Sequence, residues 1–102
     1  MFNSDKQRER ILKIIYFHLK ANIPHEKIDI KHSYLSAQRI TIHSLNKSLR
    51  SQIYFGISTH ILKIVTFIVK DGRCIGTYHF PPLEDNDNLL EMVCNRLKEE
   101  ME

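Results

Sequence analysis

The sequence predicts an α+β fold in two layers: an antiparallel sheet of four or five strands, with N-terminal and C-terminal helices packed on one face. Three observations predict it. Apolar residues recur at helical spacing near both ends of the chain. Between those ends, apolar and polar residues alternate. An Asp71-Gly72 pair sits inside the longest stretch of β-branched and aromatic residues.

The first helix is expected over roughly 5–21. Ser4 and Gln7 have capping-box spacing, in which the hydroxyl and the amide each satisfy an early backbone N–H. Ile11, Ile15 and Leu19 follow on one face, broadened by Leu12, Ile14 and Tyr16, while Arg8, Arg10, Lys13 and Lys20 mostly keep to the wet side. Pro24 stops the helix, because it has no N–H to donate and disfavours helix at Ile23.

Residues 27–34 alternate, which predicts a strand with Ile28, Ile30, His32 and Tyr34 on one face and Lys27, Asp29, Lys31 and Ser33 on the other. Arg39 to His43 repeats the pattern, so a hairpin through 35–38 is expected. Without a glycine there, its turn should be loose. Residues 44–53 carry two periods at once. Leu45, Leu49 and Ile53 suit a helix, whereas Ile53, Phe55 and Ile57 suit a strand. The reading adopted is a short helix or turn over 44–51, then a strand.

Ile61 to Val69 is rich in branched and aromatic residues, as a central strand would be, and Arg73 to Phe80 returns beside it after Asp71-Gly72. Pro81-Pro82 ends that strand. The last helix is expected at roughly 86–101. Asp85, Asn86 and Asp87 are all competent N-caps, and Leu89, Val93, Leu97 and Met101 form the apolar stripe.

Composition bounds the function. The chain has 102 residues, 42% hydrophobic and 26% charged, which is the size and balance of one folded domain spanning 1–102. The longest nearly apolar run is far short of a membrane span, and the charged N-terminus does not read as a leader. An intracellular, cytoplasmic protein with no membrane partner is expected. Cys74 and Cys94 are expected to be small buried hydrophobes rather than a disulfide.

Chemical motifs are sparse. His18, His25, His32, His43, His60 and His79 are dispersed, with no metal-ligand spacing, so no metal is expected. Three glycines build no phosphate loop, and no nucleophile elbow exists. Ser58, Thr59 and His60 are adjacent, but strand neighbours point to opposite faces. The expectation is a protein that is not an enzyme and carries no cofactor.

Charge is the strongest remaining signal. Residues 1–80 hold 13 of the 15 basic and 5 of the 12 acidic side chains, a formal +8, and residues 81–102 carry −5. Either the basic part attracts polyanions, or the acidic tail folds back over it. Arg39, Lys47 and Arg50, among Ser44, Asn46, Ser48 and Gln52, are the candidate nucleic-acid-binding residues. A winged helix with 39–51 as its recognition helix is the competing topology, but the alternation at 27–34 and Ile40-Thr41-Ile42 argue for strands. Two functions follow as expectations. One is a small binding or regulatory protein that contacts nucleic acid. The other is a protein–protein adaptor, inhibitor or chaperone-like homodimer, with Tyr34, Tyr54 and Tyr78 on a partner face.

Overall fold

A computed structural model describes residues 5–23, 28–36, 38–56, 61–81 and 88–101. Helix α1 (Asp5–Asn22) is followed by strands β1 (Ile28–Leu35), β2 (Arg39–Ser44), β3 (Leu49–Phe55), β4 (Leu62–Ile68) and β5 (Cys74–His79), then helix α2 (Leu89–Glu100). The strands form one antiparallel sheet in the order β1-β2-β3-β4-β5. The predicted α+β class, with two helices on one sheet face, is the observed one.

Register assigns the faces. Ile40 pairs with Ile53 and Ile53 with Ile64, Ile42 pairs with Ser51 and Ser51 with Thr66, and Phe55 pairs with Leu62. These side chains point inward. They share one core with Leu12, Ile15 and Leu19 of α1 and Val93, Cys94 and Leu97 of α2. Both helices therefore pack on this face. Ser51 and Thr66 are polar but fully buried in it, and their hydroxyls bond each other at 2.7 Å, which removes the cost of burying either one alone.

The β4–β5 hairpin turns where the sequence predicts. Gly72 adopts φ +70, and its N–H donates to Ile68 O at 2.8 Å, while Asp71 Oδ1 accepts from Arg73 N at 3.0 Å. A Cβ on Gly72 would meet nothing within 4 Å, so backbone conformation alone favours glycine there.

Several expectations need correction. Residues 45–48 form a turn, and Leu49 to Phe55 is strand throughout, so 44–51 contains no helix. Every odd side chain of β3 has a partner on the inner face, and that pairing outweighs the local helical spacing of Leu45 and Leu49. The same hairpin excludes a recognition helix at 39–51.

In β1 the alternation fails. Asp29 pairs with His43 and Tyr34 with Thr41, so five steps on β1 span two on β2. This bulge buries Asp29 and Ser33 and exposes His32 and Tyr34. Ser33 Oγ closes it by donating to Asp29 O at 2.7 Å, and Tyr16 on α1 donates to Ser33 O at 3.1 Å. Cys74 is exposed rather than buried, because β5 is an edge strand; Cys94 is buried as expected, and both are free thiols. Tyr78 points inward, edge-on to Phe80 at 4.9 Å, and so does not share a face with Tyr54. Ser4, Pro24, Ile57 to His60 and the capping run Asp85 to Asp87 lie outside the described residues. Asn88 is the observed N-cap of α2, with no side-chain capping bond.

Candidate functional site

The inner face is taken up by the helices, which leaves the outer face of the sheet. Its side chains follow from register. β2 contributes Arg39, Thr41 and His43, β3 contributes Arg50, Gln52 and Tyr54, β4 contributes Lys63, Val65 and Phe67, and β5 contributes Thr77 and His79. Val65 is buried yet lies outside the core cluster, flanked by Gln52 and Thr77, as expected for the middle of a second, separate surface.

Three cations and two aromatic rings interlock here. Arg39 lies over Tyr54 at 4.5 Å and Lys63 over the same ring at 4.9 Å, while Arg50 lies over Phe67 at 5.4 Å. Arg39 Nη1 also donates to Gln52 Oε1 at 3.0 Å. Among the described residues, none of these cations pairs with a carboxylate, and Asp29 of β1, opposite His43, is paired with Lys47. β2, β3, β4 and β5 contain no Asp or Glu at all.

The described carboxylates of α2 lie away from this face. The face of α2 that carries Val93, Cys94 and Leu97 packs on the inner side of the sheet, and Glu99 and Glu100 bond Arg96 on the same helix at 3.2 and 2.9 Å. The sheet itself stands between these carboxylates and Arg39, Arg50 and Lys63. The basic residues do not all share one face either. Lys6, Arg10 and Lys13 line a separate open cleft with Glu9, Leu35 and Ser36 at the α1–β1 side.

The structure thus brings together Arg39 and Arg50 of the three sequence candidates. They sit at opposite ends of the β2–β3 hairpin, opposite Tyr54 and His43. Lys47 is in the turn, where its ammonium pairs with the Asp29 carboxylate and so already has a counter-ion. Asp29 also accepts from the backbone N–H of His32 at 3.2 Å and contacts His32 Nδ1 at 2.9 Å. Sequence reading missed Lys63 and Phe67. They are legible once Ile61 to Val69 is read for alternation: Lys63, Val65 and Phe67 form its second face.

Lys47 adopts φ +64, a left-handed conformation that costs a side-chain-bearing residue about 1–2 kcal/mol relative to glycine. Lys47→Ala loses the ion pair and keeps that strain, whereas Lys47→Gly loses the pair and relieves it. Urea unfolding is expected to rank Lys47→Gly above Lys47→Ala by about 1 kcal/mol. The reverse order would show that the turn does not hold this conformation.

His43 titrates below its ordinary 6.5, first because burial disfavours the imidazolium, then because Arg50 lies beside it. The groups facing it are Asp29 across β1 and Arg50 across β3. A lowered pKa means that below 6.5 the unfolded chain takes up a proton that the folded chain resists. Stability is therefore expected to fall as pH drops from 6.5 toward the folded value, and then to level off. His43→Gln should lose that component of the slope. Identical pH profiles for the two proteins, followed by urea midpoint from pH 7.5 to 5, would contradict it.

Among the described residues, no group of three or more His, Cys, Asp or Glu side chains converges as a metal site, and no helix is long and apolar enough to cross a membrane. No family model, curated protein or solved structure matches this chain.

Proposed function

We propose that the chain is a non-enzymatic nucleic-acid-binding protein that uses the outer sheet face. One observation carries the reading: an open face with Arg39, Arg50 and Lys63, from strands without a single carboxylate, separated by the sheet from the acidic helix α2. Such a field attracts a polyanion, and guanidinium and ammonium groups are the side chains that neutralise phosphates. The contacts available are to backbone phosphate, so sequence preference should be weak.

A titration against mixed-sequence single strands and duplex at low salt tests this. Affinity should fall linearly on a log–log plot against salt, with a slope of about −2 to −3 for three neutralised phosphates. Absence of binding at tens of micromolar, where non-specific binders register, would turn the reading toward a protein partner. That second reading, an adaptor or a homodimer, draws on Ile14 and Phe17, which are 51% and 58% exposed one turn apart on the outside of α1.

A further inference from the structure

We infer that the outer sheet face takes single-stranded nucleic acid rather than duplex, with bases stacked on Tyr54 and Phe67. The inference rests on the nucleic-acid reading above and goes beyond charge to the shape and chemistry of the face.

Shape argues against a duplex. A major groove about 12 Å wide admits one helix or a two-stranded ribbon. Five strands about 4.8 Å apart span roughly 19 Å between the outermost two, so this sheet cannot enter a groove. Both helices, the elements that could enter one, are packed on the other face.

The rings argue for bases. Tyr54 and Phe67 lie on neighbouring strands, with Tyr54 opposite Lys63 and Phe67 opposite Arg50, four residues further along each strand. Their separation along the strands is roughly 13 Å, so they offer two separate platforms to one extended strand. Each ring has its own cation. Arg39 and Lys63 cover Tyr54, and Arg50 covers Phe67. A base that replaces the cation on the ring leaves that cation beside the phosphate of the same strand, so stacking and charge neutralisation occur together.

Two polar atoms on this face add a separate observation. Thr41 is only 1% exposed, yet its Oγ1 has no hydrogen-bond partner among the described residues, and the buried Nε of Arg50 has none either. Buried polar groups without partners are rare in folded proteins. Thr41 pairs in register with Gln52, which Arg39 holds from above. When Arg39 leaves Tyr54, Gln52 is released and the Thr41 hydroxyl becomes reachable by a base edge. The Arg50 Nε–H is a donor suited to phosphate.

Fluorescence anisotropy at low salt with three probes of equal length tests this: labelled oligothymidylate, an abasic phosphodiester strand, and a duplex. Oligothymidylate should bind more tightly than the abasic strand by roughly fivefold to a hundredfold per stacked ring. Tyr54→Leu and Phe67→Leu should each lower oligothymidylate affinity by one such factor more than they lower abasic affinity, with circular dichroism reporting that the variants are folded. Tyr54→Phe should keep the factor. Equal binding of all three probes would overturn the single-strand inference and leave the polyanion reading standing. Binding of none would overturn both.

Discussion

Replacing Arg39, Arg50 and Lys63 together with Ala is expected to weaken polyanion binding for all sequences alike. It should also flatten the log-affinity against log-salt slope by about 2–3 units. The three side chains share the outer face, and among the described residues none pairs with a carboxylate. Each phosphate they neutralise releases a counter-ion, and that release is the driving force. Carried from 1 M, where it vanishes, to 0.1 M salt, a slope change of this size is roughly a hundredfold to a thousandfold in affinity. The cation–ring contacts that are lost are partly exposed, so each costs about 1 kcal/mol of stability or less, and the variant should fold. Lys47→Ala is the internal comparison. Its ammonium already pairs with Asp29, so it has less charge to offer and should shift the slope by less than any of the three. An unchanged slope in the triple variant would place the polyanion site elsewhere, with the α1 cleft of Lys6, Arg10 and Lys13 the next surface to test.

Phe80→Ala is expected to cost about 3–5 kcal/mol of folding stability, the largest loss anticipated for a single truncation here. Phe80 follows β5, and its N–H donates to Leu62 O at 2.8 Å. That bond extends the β4–β5 ladder past the last paired residues. The side chain is 2% exposed and packs edge-on to Tyr78, which in turn stacks under Arg96 of α2 at 4.5 Å. Truncation would open a cavity where the sheet meets the helical layer, and neighbours on a paired strand cannot collapse into it. Against a total of about 5–15 kcal/mol for a domain of ordinary stability, the variant would lie close to unfolding. Urea unfolding measures it directly. A loss under about 1 kcal/mol would mean that Phe80 is not part of the core.

Much of this architecture could be read in order along the chain. The apolar spacing of Leu12, Ile15 and Leu19, and of Val93 and Leu97, leaves a helix only one face to bury. Asp71-Gly72 between two β-rich runs fixes a hairpin, since a turn with positive φ is inexpensive only where glycine supplies it. These are local effects, and local pattern is enough to determine them. The candidate site was legible only in part, for a physical reason. Arg39 and Arg50 stand out as charges in polar surroundings, but Lys63 sits inside an apolar run, where it reads as an interruption. Only pairing with β3 shows that Lys63 shares a ring with Arg39.

What the sequence by itself determined was therefore the two helices, the β-rich middle, the turn at Gly72 and the uneven charge between the two parts of the chain. The tertiary structure decided the rest. Strand pairing across the sheet drew 49–51 into β3 against its local helical spacing. A bulge stabilised by Ser33 and Tyr16 buried Asp29 beside His43 and left His32 exposed. Most of all, the packing of both helices on one face set α2's carboxylates and the outer cations on opposite sides of the sheet. Net charge is a sum along the chain, but the field that a partner meets depends on which side chains share a face, and pairing register and layer packing alone fix that.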